Sequence, residues 1–147
     1  IRDDNIVATV LLHDVVEDCG VEVDNLPVNY TVKMGVKYMT IRPLEGEDKA
    51  TTKRRYFTQL IESKEAIIAK ALDRYDNLCD MAGVLAEKDI IKNIKETREL
   101  LLPVLKEAKE KWVDLADVLF VLRTNIRNIT DTLAAMYILE EEKIEEA

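Results

Sequence analysis

The chain has 147 residues, 48% of them hydrophobic, which is enough for one compact domain with a sizeable core. Its formal net charge of −8 argues against general affinity for DNA, RNA or an anionic membrane, although a small phosphorylated ligand needs only a local basic patch. Two cysteines, Cys19 and Cys79, are too few for a disulfide framework, and no segment has the length and apolarity of a signal or transmembrane helix, so the expected location is cytoplasmic.

With 4 Gly, 3 Pro, 34% charged and 5% aromatic residues, the composition is one of helix formers, and the expected fold is all-α. Residues Asp4 to Cys19 read as a first helix, capped by Asp3 or Asp4 and stopped at Gly20. Its apolar residues Ile6, Val7, Val10, Leu11, Val15 and Val16 predict a largely buried helix. After Leu26-Pro27, Val28, Val32, Val36 and Met39 recur at helical spacing, and Thr40 to Asp48, with Pro43 and Gly46, reads as a loop. Asp48 caps a third helix to about Glu62, and Ser63 restarts one to about Ala86 through Ile67, Ile68, Ala71, Leu72, Tyr75, Leu78 and Cys79. Asp89 to Lys111 is helical by pattern, with a kink or break near Glu99 imposed by Pro103. A long helix follows from Asp114, and its acidic end from Glu140 to Glu146 is expected to fray because carboxylates oppose the dipole there.

The stretch Leu11-Leu12-His13-Asp14-Val15-Val16-Glu17-Asp18 concentrates the chemistry. On a regular helix His13 and Glu17 form one row, and Asp14 and Asp18 the next. Carboxylates on a buried helix need a pairing charge, for which a divalent cation is the natural partner. His13, Asp14 and the later Asp73 offer a mixed imidazole and carboxylate set suited to Mn, Fe or Zn. Asn77 lies four residues beyond Asp73 on the same predicted helix.

These residues resemble the HD superfamily of metal-dependent phosphohydrolases. More narrowly, the Leu11 to Asp18 block followed by Lys70-Ala71-Leu72-Asp73-Arg74-Tyr75-Asp76-Asn77-Leu78 is similar to the hydrolase domain of RelA/SpoT-type enzymes, in its stand-alone small alarmone hydrolase form. The resemblance covers residues 1 to about 82, with motif-bearing helices over 1–86 and a helical extension over 87–147. It implies an HD-type helical bundle with additional C-terminal helices and a metal, usually Mn²⁺, held by His13, Asp14 and Asp73. It also implies that Glu17 and Asp18 orient and activate water, that Asn77 binds the nucleotide, and that the reaction removes the 3′-diphosphate of (p)ppGpp. The superfamily's first metal-binding histidine lies upstream of the His-Asp pair, and His13 is the only histidine here, so the domain is expected to be N-terminally incomplete. Asp76 stands where these hydrolases carry His, and Asp80 where they often carry Thr, which bears on guanosine specificity.

Plainer readings stand beside these. His13 alone is compatible with a structural histidine, Asp73-Arg74 with a buried ion pair, and Lys49, Lys53, Arg54 and Arg55 with either a phosphate-gathering edge or a solvated face. Arg74 reads as structural, Tyr56, Phe57, Tyr75 and Trp112 as core, and the cysteines as small hydrophobes without chemistry. The alternatives to the alarmone reaction are hydrolysis of another nucleotide or phosphoester, or an inactive HD-like binding module. The C-terminal helices are expected either to brace the site or to form a homodimer surface.

Overall fold

The computed structural model describes residues 3–146, with side chains to residue 138, and the described residues form helices and turns without a strand. Its α-helices are α1 (Asp4–Leu12), α2 (Val15–Cys19), α3 (Tyr30–Tyr38), α4 (Lys49–Gln59), α5 (Lys64–Asp80), α6 (Glu87–Glu96), α7 (Leu102–Lys111) and α8 (Ala116–Glu146). No described helix is long and apolar enough to cross a membrane. The expected fraying over Glu140 to Glu146 is not seen in the backbone, which is helical to Glu146.

The starts of the helices follow from their caps. Asp3 accepts from the amides of Asn5 and Ile6, Asn29 from Val32, Asp48 from Thr51 and Ser63 from Ala66, each satisfying an N–H that has no partner within its helix. Pro103 has no N–H to offer the Glu99 carbonyl, and the chain passes through a π-helical turn at Thr97–Leu101 between α6 and α7. The expected break therefore falls where the proline dictates. Helix α5 stops at Asp80, six residues before the expected Ala86, because Gly83 adopts a left-handed φ of 76° and the amides of Val84 and Leu85 turn back to the Met81 carbonyl.

Helix α5 lies at the centre, packed by α1 and α3 on one side and by α7 and α8 on another. Ile67, Ile68, Ala71 and Leu78 of α5 share the main core with Ile6 of α1, Leu105 of α7, and Leu119 and Ile126 of α8. A second apolar cluster, Val23, Leu26, Val32 and Val36, receives Leu12, Val15 and Val16. It anchors the chain on both sides of His13-Asp14.

Three sequence expectations need correction. The first helix is not largely buried: Ile6 is 2% exposed, but Val7 and Leu11 are 48% and 74% exposed, because only one stripe of α1 faces α3 and α5. Tyr75 lies on the outer side of α5 and is not core. Cys19 and Cys79 are both exposed rather than packed as small hydrophobes.

Gly35 sets how closely α3 approaches α1. A Cβ there would sit 2.8 Å from Thr9 Oγ1, 2.9 Å from Thr9 Cγ2 and 3.3 Å from Glu65 Cβ. Both branches of Thr9 obstruct it, so rotation about χ1 does not clear the clash. Alanine gains up to about 1 kcal/mol of helix propensity, against about 1–3 kcal/mol for overpacking. Gly35→Ala is therefore expected to destabilise by roughly 1–2 kcal/mol, read from the urea midpoint, with most of the loss restored by Thr9→Ala in the same chain. A Gly35→Ala chain as stable as its parent would show that the α1–α3 contact yields freely.

Candidate functional site

The expected continuous helix from Asp4 to Cys19 is broken at His13-Asp14. Asp14 has φ −92° and ψ −9°, at the edge of the right-handed helical region, and α2 begins at the next residue. On a regular helix adjacent side chains diverge by about 100°. Here the break turns Asp14 back, so that its Oδ2 lies 3.1 Å from His13 Nε2. Asp73 of α5 brings Oδ1 to 3.4 Å from the same nitrogen.

The imidazole is oriented from behind. His13 Nδ1 lies 2.6 Å from the Val10 carbonyl, which can only accept, so Nδ1 carries the proton and donates. Nε2 faces the two carboxylates. Among the described residues it is the one buried side-chain polar atom without a hydrogen-bond partner. Both carboxylate oxygens are near enough to bond it, so it is their direction that fails: neither lies along the axis a ring N–H would need. A ring nitrogen buried beside two carboxylates calls for positive charge among them, and a cation held by all three is one way to supply it. Donors about 2.1 Å from one cation and roughly 90–110° apart are separated by about 3.0–3.4 Å, the range of the two observed distances. The donor chemistry fits a divalent metal, although among the described residues no three such side chains close around a single point as a ready-made cage.

A cavity of about 160 Å³ opens at this cluster, lined by His13, Asp14, Glu17 and Asp73 together with Lys53, Tyr56, Lys70 and Glu96. Glu17 stands at its mouth and accepts the Ile41 amide at 3.3 Å. The Tyr56 hydroxyl donates to the Met39 carbonyl at 3.0 Å, and its pKa is pushed up by burial and then by the Glu17 and Asp73 charges, so it forms a neutral wall. Lys70 Nζ lies 3.8 Å from Asp73 Oδ2 and 5.5 and 5.8 Å from the ring centres of Tyr56 and Phe57. Burial, followed by the Arg74 charge, lowers its pKa, while Asp73, Glu96 and Glu17 oppose that shift.

Glu96 closes the cavity from α6. Burial raises its pKa, but hydrogen bonds from Lys53 and Arg74 outweigh this and hold the carboxyl below its usual range. Arg74 is thus structural as expected, but its partner is Glu96, with Arg74 Nη2 donating to Oε1 at 2.6 Å, and not Asp73. Lys53 pairs with the same carboxylate through Oε2.

Of the six site residues proposed from sequence, the structure brings four to this cavity: His13, Asp14, Glu17 and Asp73. Asp18 is exposed and does not line it. Asn77, one turn beyond Asp73, opens into a separate concavity with Asp80, Met81, Val84, Leu85 and Asn93. Sequence reasoning assigned no role to Lys70 or Glu96. Lys70 was accessible to it, because a position three before Asp73 shares a helix face with it. Glu96 was not, since its pairing with Lys53 spans 43 residues. No protein-family model, curated protein or solved structure matches this chain.

Proposed function

We propose that the chain is an HD-type, metal-dependent phosphohydrolase whose substrate is (p)ppGpp, cleaved at its 3′-diphosphate. The observation that carries the reading is His13 Nε2, buried without a hydrogen-bond partner beside two carboxylates of the expected ligand set. His13, Asp14 and Asp73 would hold Mn²⁺, with its other coordination positions left to groups beyond these three. When bound, the ion would lower the pKa of water toward neutrality and screen phosphoryl oxygens.

The chain's own residues divide the remaining work. Glu17, at the cavity mouth, accepts a proton from the attacking water. Lys70 and Lys53, which line the same cavity, supply positive charge for the phosphoryl oxygens. The water oxygen bonds to phosphorus, the bond from phosphorus to the ribose 3′-oxygen breaks, and the proton leaves with the 3′-hydroxyl. Phe57 and the closed Tyr56 hydroxyl limit water on the inner side.

A second reading, hydrolysis of another phosphoester by the same site, is favoured by the position of Asn77 outside the cavity. The test is pyrophosphate release from ppGpp by the chain with and without Mn²⁺, with His13→Ala as control. The expected result is metal-dependent release reduced at least about a hundredfold in the control. Metal-dependent hydrolysis of other phosphoesters without ppGpp cleavage would select the second reading, and no hydrolysis at all would overturn both.

A further inference from the structure

Helices α4 and α6 and the π-helical turn flank an open groove of about 580 Å³ that shares Lys53 and Glu96 with the His13 cavity. Arg54 from α4 and Lys88, Lys92 and Lys95 from α6 line it as well. The three α6 lysines are spaced four and three apart and so project from one face. Among the described residues none of these four cations has a carboxylate within 4.0 Å. The chain as a whole has 21 Lys and Arg against 29 Asp and Glu. The groove reverses that balance: five basic residues face two acidic ones, Glu96 and Glu99, and Glu96 is already committed to Lys53 and Arg74.

We propose that this groove is an anion site for a small polyphosphate, distinct from the His13 cluster and opening onto it at Lys53. Its volume falls among small-ligand sites, which span about 300–1,000 Å³. Four unpaired cations on facing helices match an ion carrying several charges over a few ångströms better than a single phosphate. A nucleic acid would meet the field of the whole chain, net −8, outside the groove. The site requires no metal and no hydrolysis, so it stands or falls separately from the reaction proposed at His13.

The test is calorimetric titration of the full chain with inorganic tripolyphosphate in EDTA at low salt, repeated with a nucleoside triphosphate of equal charge. The variants are Lys88→Gln/Lys92→Gln/Lys95→Gln and, separately, His13→Ala. The replaced lysines are exposed, and each variant is to be checked for parental helicity by circular dichroism before titration. Binding of one anion per chain is expected, weakened at least about tenfold in the triple variant and by added salt, and kept in His13→Ala. Tighter binding of the nucleoside triphosphate would add base recognition to the groove, and equal binding would assign recognition to the phosphates alone. No binding, binding untouched by the triple variant, or binding lost only with His13 would overturn the proposal.

Discussion

Asp73→Asn is expected to remove the stabilisation that Mn²⁺ gives the wild-type chain. A ligand that binds only the native state stabilises it by about 2.7 kcal/mol at a hundred times its Kd. For a chain of this length that is a rise in Tm of roughly 5–10 °C. Asparagine keeps the shape and one oxygen of Asp73 but removes the charge that faces His13 Nε2 at 3.4 Å and Lys70 at 3.8 Å. The metal would lose both a ligand and part of the negative charge that offsets its own, and the thermal shift should fall to near zero with Mn²⁺ at the same concentration. Without metal, the variant should melt within a few degrees of the parent, since Asp73 is partly exposed and its pairing with Lys70 is long. This separates a metal ligand from a structural carboxylate. A structural Asp73 would lower Tm equally with and without Mn²⁺, and that outcome would remove it from the metal set. The same comparison on Asp18→Asn should leave the Mn²⁺ shift intact, because that carboxylate does not line the cavity.

The parts of the fold that local chemistry determines were readable from sequence. Asp48 and Ser63 begin helices because a short side-chain oxygen can reach an otherwise unpaired amide, and Pro103 interrupts one because it has no amide. The break at His13-Asp14 was not readable, since apolar spacing runs unchanged from Ile6 to Val16. What divides that helix is packing at a distance: Leu12, Val15 and Val16 settle on the Val32 and Val36 side of α3 while His13 turns toward α5. The same limit explains the site. The donor types of His13, Asp14 and Asp73 are legible from residue chemistry, whereas the roles of Asp18 and Asn77 come only from the resemblance to the HD hydrolases, which carries no information on how this chain turns at His13-Asp14. Lys53, read from sequence only as one of four clustered cations, acquires its place from Glu96, which no local pattern connects to it.

Arg74→Met should be the most destabilising single change near the site, at about 3 kcal/mol near neutral pH, read from equilibrium urea unfolding. Arg74 is 5% exposed and donates to Glu96, to Thr97 Oγ1 at 3.0 Å, and to the Asn93 carbonyl and side-chain oxygens at 3.4 Å, so it ties α5 to the end of α6 and the π-helical turn. Removing one member of a buried pair costs about 3–5 kcal/mol, mainly because the other charge is left uncompensated. Lys53 still pairs with Glu96, which argues for the lower end. The pH dependence identifies the cause. In the parent, Glu96 has a folded pKa below its usual value, so its contribution to stability is present above the unfolded pKa, about 4.3, and is lost as pH falls through the folded one. In Arg74→Met, burial acts against a single remaining partner and the folded pKa rises. The parent therefore loses more stability on acidification than the variant does, and the gap between them should narrow from pH 7 toward pH 4. A gap that stays constant would mean that lost packing, not the stranded carboxylate, sets the cost. Glu96→Gln added to Arg74→Met removes that charge outright, and it should recover part of the deficit at pH 7 while changing little at low pH, where Glu96 is already protonated.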